Sequence, residues 1–168
     1  IFAIFAGFGV AKGIIDSAPD ISEINVVPTG YSTFVYDQEG NEIVKLVAQN
    51  SNRIPVSIDK VPKNLQNAFV AIEDQRFYSH RGMDLKRTLG AVINVFVKGD
   101  SSYGGSTITQ QLVKNITEDK SRNASRKIRE ITRAVVLETK LSKEQILELY
   151  LNTIYLSQGA NGVEAAAN

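Results

Sequence analysis

Two kinds of hydrophobic pattern divide the chain at about Pro62. Before this point, the β-prone runs Thr33 to Tyr36 and Glu42 to Val47 flank residues 37–41, whose acidic residues and glycine suit a turn. This arrangement predicts a small β-hairpin. After Pro62, apolar residues recur with the i, i+3, i+4, i+7 spacing of a helix, at Leu65, Ala68, Phe69 and Ile72. The pattern therefore predicts a mainly α domain with a small N-terminal β-hairpin region.

Four further helices are predicted from their N-terminal signals. Each begins at Ser or Asp, whose side-chain oxygen can accept a hydrogen bond from the N–H groups of the first turn. The predicted starts are Asp84, Ser106, Ser121 or Ser125, and Ser142, which forms a capping box with Gln145. The predicted ends lie near Lys98-Gly99 for the first of these helices, Lys140 for the third and Leu151 for the fourth.

The beginning of the chain is an uncharged apolar run, Ile1 to Ala11. A membrane-spanning helix needs about 20 apolar residues, so this run is too short to cross a bilayer. Because the first residue is Ile, we expect a fragment in which residues 1–15 are the end of a truncated transmembrane helix or an interfacial segment. Burial as a core strand or helix is the alternative. Residues 16–30 contain two prolines and are expected to form a connector.

Composition excludes several classes of protein and several kinds of site. The 168 residues suffice for one domain, and 43% hydrophobic with 22% charged residues is ordinary for a folded one. With 19 basic and 18 acidic residues the net charge is +1, which excludes a polycation. The chain has no cysteine, which excludes disulfides, thiolate metal sites and cysteine nucleophiles.

Positive charge is concentrated between Lys120 and Lys143, a stretch with eight basic residues and only two acidic ones, Glu130 and Glu138. The pattern is typical of a solvated helix face, and phosphate binding is the functional alternative. No aromatic or Asn/Gln residues interleave with the basic ones to read bases, so we expect no nucleic-acid partner.

Two segments carry candidate chemistry. Ala71 to Asp84 places several charged residues and the only histidine at the end of an apolar helix, which is either a solvated end or a partly desolvated acid–base site. Gly104 to Asn115 joins a Gly-Gly loop to a helix with amide side chains and Lys114. Free N–H groups at such a helix start suit an anion, and amide side chains suit the hydroxyls of a sugar.

Four segments together resemble the ordered motifs of the peptidoglycan glycosyltransferase domain found in class A penicillin-binding proteins and monofunctional glycosyltransferases. They are Glu73 to Asp84, Gly104 to Asn115, Arg126 to Glu138 and Glu148 to Ala167. The resemblance implies that residues 31–168 form this domain, truncated at its C-terminus. Ser157 and Gln158 depart from the family pattern, which often has Gly and Asn there.

The resemblance implies a lysozyme-like fold and polymerisation of lipid II into β-1,4-linked glycan strands, by inverting transfer with release of lipid diphosphate. It implies Glu73 as catalytic base and Glu130 as a second catalytic carboxylate that orients basic groups or a metal ion. The substrate-binding residues that it implies are Asp74, Arg76, Phe77, His80, Ser106, Thr107, Gln110, Gln111, Lys114, Asn115, Arg126 and Lys127.

The resemblance also implies the surroundings of the enzyme. A single-pass anchor would hold the catalytic domain on the outer side of the bacterial cytoplasmic membrane, with lipid II, the growing glycan chain and a transpeptidase domain or partner nearby. A divalent cation, Mg²⁺ or Mn²⁺, is an optional aid and no cofactor is required. A muramidase or lytic transglycosylase is the alternative enzyme, and a catalytically inactive membrane-bound scaffold is the alternative outside enzymes.

Overall fold

A computed structural model describes residues 30–47, 52–90, 104–117 and 124–168. The elements are a hairpin followed by helices: β1 (Thr33–Tyr36), β2 (Glu42–Leu46), α1 (Lys63–Glu73), a 3-10 turn (Phe77–Ser79), α2 (Ile108–Thr117), α3 (Ala124–Lys140), α4 (Lys143–Leu151) and α5 (Val163–Ala167). Residues 85–90 are also helical. The prediction of a mainly α domain with a small N-terminal hairpin is confirmed.

The hairpin forms where the strand pattern predicts it, although β2 ends one residue earlier, at Leu46. The strands are antiparallel, and Val35 lies opposite Val44. One carboxylate organises the turn, because Asp37 accepts hydrogen bonds from the backbone N–H groups of Glu39 (3.0 Å) and Asn41 (2.7 Å). These bonds stabilise the turn, because they give a partner to backbone N–H groups that the pairing of the strands leaves without one.

The hydrophobic core lies among the helices. α2 packs against both α3 and α4. Their inward faces, with the 3-10 turn, contribute side chains that are buried almost completely: Phe77, Ile108, Leu112, Ala134, Leu137, Ile146, Leu147, Tyr150 and Leu151. Burial of this apolar surface is the main favourable term that holds the helices together.

A buried ion pair joins the same three helices. Glu138 of α3 accepts a hydrogen bond from the Thr109 hydroxyl of α2 (2.5 Å) and pairs with the Lys143 ammonium of α4 at 2.6 Å. That ammonium also lies 4.4 Å from the centre of the Phe77 ring. Lys143 belongs to the basic stretch found in the sequence, but its ammonium is paired inside the domain with Glu138.

The helix starts follow their predicted caps with two differences. Ser125 lies inside α3, which begins at Ala124, and the alternative start Ser121 lies outside the described residues. The capping box of α4 is confirmed, since Ser142 N–H donates to Gln145 Oε1 (2.9 Å) and Gln145 N–H donates to Ser142 Oγ (3.3 Å). α2 begins at Ile108, later than the predicted start at Ser106. The reason is that the Thr107 hydroxyl oxygen accepts from Gln110 N–H (3.2 Å), so Thr107 occupies the capping position.

The segment 52–61 lies along the C-terminal end of α4. The side chain of Asn152 pairs with both backbone groups of Val56: Oδ1 accepts from Val56 N–H and Nδ2 donates to Val56 O, both at 2.8 Å. Glu148 accepts from Ile58 N–H at 2.8 Å. These bonds attach the chain that enters α1 to the helix that carries Tyr150.

The loop after α4 requires left-handed backbone. Ser157 and Gln158 have φ values of 75° and 48°, a region that residues with a side chain seldom adopt. These are the two positions at which the sequence departs from the Gly and Asn of the family pattern. The departure therefore falls where glycine and asparagine fit the backbone best.

Several predictions concern residues outside the described ranges. They are the membrane segment 1–15, the connector 16–30 apart from Gly30, and the helix predicted from Asp84 beyond residue 90. In the part of the chain that the structure describes, no helix combines the length and the apolar character needed to cross a membrane.

Candidate active site

Glu73 is the last residue of α1, and its half-buried carboxylate faces α2. Its Oε2 accepts a 2.7 Å hydrogen bond from Nε2 of Gln111. The Oε1 atom of the same amide lies 3.5 Å from the hydroxyl of Tyr150, on α4. Burial, together with the negative charge of Glu73, raises the pKa of Tyr150 far above its ordinary value. Glu73 therefore lies at the junction of three helices, next to a hydroxyl that stays protonated.

The neighbouring carboxylate has a different environment. Asp74 is completely buried, and its Oδ2 is hydrogen-bonded to Nε2 of His80 (2.8 Å) and to the N–H of Ile108 (3.1 Å). It thereby binds the first residue of α2, where the helix dipole favours a negative charge. Phe77, the next predicted substrate-binding residue, is also completely buried. Asp74 and Phe77 thus support the site from within the core, and direct contact with substrate stays a prediction.

A second carboxylate network holds the loop that follows α1. Asp84 is buried and pairs with Arg76, and it also accepts from the N–H of Arg87 at 2.9 Å. Burial acts to raise the pKa of Asp84, but the hydrogen bonds from Arg87 and Arg76 and the Arg76 charge outweigh it. The pKa of Asp84 is consequently below its usual value.

Arg87 is a site residue that the sequence did not indicate. Its guanidinium donates to the main-chain carbonyl of Glu73 and to that of Gly104, the latter at 2.7 Å. It therefore connects the end of α1 to the loop that leads into α2. The only signal in the sequence is its position three residues after the helix cap Asp84.

The second predicted catalytic carboxylate, Glu130, is buried on α3 and pairs with Lys127. The Lys127 ammonium also donates to Ser106 Oγ (2.8 Å) and to Gln110 Oε1 (2.9 Å). The structure thus brings together four of the residues that the resemblance implied. An ammonium group has three N–H donors, and those of Lys127 bind Glu130, Ser106 and Gln110. These contacts hold the ammonium between α2 and α3.

The remaining predicted residues differ in exposure. Lys114 and Asn115 are exposed on α2 after Gln111, whereas Arg126 is half-buried on α3. Thr107 and Gln110 are buried, and both donate to the carbonyl of Gly82, at 2.8 and 3.3 Å. They anchor the start of α2, and substrate contact by either stays a prediction.

A groove lies beside the C-terminal end of α1. Its volume is about 590 Å³, and its lining includes Ile72, Arg76, Asp84, Lys86, Arg87 and Gly104. A second groove of about 580 Å³ adjoins it through Arg76 and Asp84. Three basic side chains against one paired acid make the first groove suitable for an anionic ligand.

The described residues do not form a cage for a divalent cation. Among them, no three His, Asp or Glu side chains lie close enough together to hold a metal ion. Glu130 has a lysine as its partner and Glu73 has an amide. Mg²⁺ is commonly held by one or two carboxylates together with substrate phosphates, so a divalent cation that aids the reaction stays a prediction, and no step below involves one.

A half-buried glutamate beside a cationic groove defines a candidate acid–base enzyme for an anionic substrate. Comparison with known families shows which family of enzymes this is. Residues 39–168 match the family model described as Transglycosylase, and the chain belongs to this family. The prediction of the family from its four motifs is confirmed.

Among similar proteins are penicillin-binding proteins of several bacteria. Penicillin-binding protein 1A of Clostridium tetani is 43% identical over 99% of this chain and 22% of its own length. Penicillin-binding protein 1A/1B of Bacillus subtilis is 42% identical over 99% of this chain and 18% of its own length. Penicillin-binding protein 1A of Escherichia coli is 40% identical over 95% and 19%, respectively. The chain spans about a fifth of the length of these curated relatives.

Proposed function

We propose that the chain is a peptidoglycan glycosyltransferase domain that polymerises lipid II into β-1,4-linked glycan strands. Membership of the transglycosylase family and the names of the relatives support a cell-wall glycosyl transfer. The observation that carries the proposal is the half-buried Glu73 carboxylate, which Gln111 contacts and whose main-chain carbonyl binds Arg87 of the cationic groove. Such a group can accept a proton while neighbouring cations receive a leaving anion.

In the proposed reaction, Glu73 removes the proton of the 4-hydroxyl of the lipid II GlcNAc. The oxygen attacks the anomeric carbon of MurNAc at the reducing end of the growing chain. The bond from that carbon to the α-linked lipid diphosphate breaks on the opposite face, and the electron pair leaves with the diphosphate. The centre is inverted to a β-1,4 linkage, and the proton remains on Glu73. This displacement needs one base and stabilisation of the leaving charge.

The leaving diphosphate is assigned to Arg76 in the groove and to the basic residues around α2 and α3. Lys114 is exposed and available from α2, while Arg126 precedes the fixed Lys127 on α3. We propose that Glu130 acts by orienting Lys127, since these two side chains form an ion pair. A charge held in place before the reaction needs no reorganisation when the diphosphate anion develops.

Glu73→Gln in the full-length protein tests the base. The substitution keeps the size of the side chain and removes its ability to accept a proton, so lipid II should still bind while polymer formation falls. General-base contributions run about 10²- to 10⁴-fold, and a loss at the upper end is expected because a sugar hydroxyl is a weak acid. Glu39→Gln, the same change on the exposed hairpin turn, is the matched control.

Retention of more than about a tenth of the activity by Glu73→Gln, against that range, would remove Glu73 from the role of base. The substrate is tested by supplying labelled lipid II or finished sacculi to the unsubstituted protein. Cleavage of sacculi without polymerisation would indicate the lytic alternative. Binding of lipid II with neither reaction would indicate a scaffold.

The location is also a proposal. We propose that residues 1–15 contribute to attachment at the outer side of the bacterial cytoplasmic membrane, where lipid II would be reached, with a transpeptidase domain in the same protein or a partner. The support is the apolar run itself, because burial of apolar surface in a bilayer interface is favourable. A protein that begins near Ser22 should bind lipid vesicles more weakly than the intact chain, and equal binding would contradict the proposal.

A further inference from the structure

We propose that Gln111 is a positioning residue for the Glu73 carboxylate, and that the buried Tyr150 hydroxyl holds the Gln111 amide in place. The resemblance implied a different role for Gln111, that of a substrate-binding residue. This inference rests on the proposed function, because it assigns Gln111 a task only if Glu73 accepts a proton.

The amide of Gln111 has one orientation that satisfies both neighbours. Nε2 donates to Glu73 Oε2 at 2.7 Å, and Oε1 lies 3.5 Å from the Tyr150 hydroxyl. Rotation of the amide by 180° would place Oε1 against the carboxylate oxygen, and two acceptors repel each other. The Tyr150 hydroxyl can donate to the amide oxygen or accept from the amide N–H, so the carboxylate sets the orientation and Tyr150 holds the amide in place.

Tyr150 is suited to hold the amide in place. Its side chain is completely buried, and its ring packs edge-on against Phe69 of α1, with ring centres 6.1 Å apart. Burial keeps the phenol protonated, so the hydroxyl has a proton to donate to Gln111. Phenylalanine would fill the same apolar space without a hydroxyl. The hydroxyl of Tyr150 therefore contributes the polar contact with Gln111 and not the packing of the ring.

The orientation matters for the charge of Glu73. A hydrogen bond donated to a carboxylate favours its charged form, which is the form that accepts a proton. The other groups around Glu73 are Arg87, which binds its main-chain carbonyl, and Asp74, whose carboxylate is turned towards His80 and the N–H of Ile108. Lys114 lies exposed one turn beyond Gln111. In the contacts of the described residues, Gln111 is the side chain that donates to the Glu73 carboxylate itself.

The test is the pH dependence of lipid II polymerisation by full-length Gln111→Met. Loss of the donor should lower kcat on the acidic side of the profile by about ten- to a hundredfold, the range for a hydrogen bond to a charged group. The deficit should shrink as pH rises, because the acidic limb of the profile moves to higher pH. KM for lipid II should change little. Gln38→Met, the same change on the exposed hairpin turn, should leave the profile unchanged.

Tyr150→Phe provides an independent measurement that does not depend on how well Gln111→Met folds. It should move the acidic limb in the same direction by a smaller amount, because the amide then loses its second contact. In the Gln111→Met background, Tyr150→Phe should add no further shift, since the two residues act through one contact.

Two results would overturn the inference. A deficit of the same factor at every pH would indicate a structural role, and a raised KM with unchanged kcat would indicate the substrate-binding role that the resemblance implied. An active Glu73→Gln enzyme would instead refute the proposed function, which keeps the two failures distinguishable.

Discussion

Replacement of Gly82 by alanine is expected to destabilise the domain through one identifiable contact. Gly82 has a φ of +79° and lies against the backbone of α3, where an added Cβ would be 2.6 Å from backbone atoms of Ala134 and Val135. Helix backbone cannot move aside as the end of a side chain can. The Gly82 carbonyl also accepts the bonds from Thr107 and Gln110. Displacement of Gly82 would therefore disturb the start of α2 as well.

The magnitude follows from two terms. A left-handed conformation costs a residue with a Cβ about 1–2 kcal/mol. Overpacking against a structure that cannot relax costs about 1–3 kcal/mol more. The expected loss is about 2–5 kcal/mol, the sum of these ranges. For a domain of this size it lowers the melting temperature by about 4–20 °C.

Thermal unfolding followed by circular dichroism measures this loss, with Gly159→Ala as the matched control. Gly159 has nearly the same φ, +76°, and nothing lies within 4 Å of its added Cβ. The control therefore carries the conformational term alone, about 1–2 kcal/mol. Equal loss of stability in the two variants would show that the close approach to α3 has no energetic consequence, and the reasoning would be wrong.

Two further predictions concern buried polar groups. Asn152→Ala should cost about 2–4 kcal/mol, because the N–H and C=O of Val56 both lose their partner; chemical denaturation measures the loss, and unchanged stability would contradict this role. The pKa of Asp84 in the folded protein is below its ordinary value of 3.8, so its stabilising effect is present above that pH and is lost as pH falls through the folded value. Asp84→Asn should therefore flatten the stability profile below about pH 4, and an unchanged acid slope would contradict the role given to Arg76 and Arg87.

The parts of the fold that were predictable are those fixed by neighbours in the chain. The Ser142–Gln145 capping box joins residues three apart, and the Asp37 turn is closed within five residues. Periodic apolar positions identified α1 for the same reason, since they depend on the helix repeat alone. The start of α2 was misplaced because two adjacent residues, Ser106 and Thr107, could both cap a helix. Their choice depends on Gly82, a distant residue that binds Thr107.

The site was only partly predictable. The resemblance found Glu73 and Gln111 in two motifs and Lys127 with Glu130 in a third, but it did not pair Glu73 with Gln111. Arg87 was missed because its two bonds go to main-chain carbonyls of residues 14 and 17 positions away. A carbonyl is present at every position in the sequence, so no residue type marks such a partner.

The sequence by itself determined the family, the helical periods and the residue types available for acid–base chemistry, because these depend on local pattern and on motif order. Only the tertiary structure decided that Asp74 turns inward to His80 and α2 while Glu73, one position earlier, turns to Gln111. Two adjacent carboxylates are chemically alike in the sequence. Their environments differ because consecutive residues at the end of a helix point in directions about 100° apart, and each then meets the side chains that distant segments bring to it.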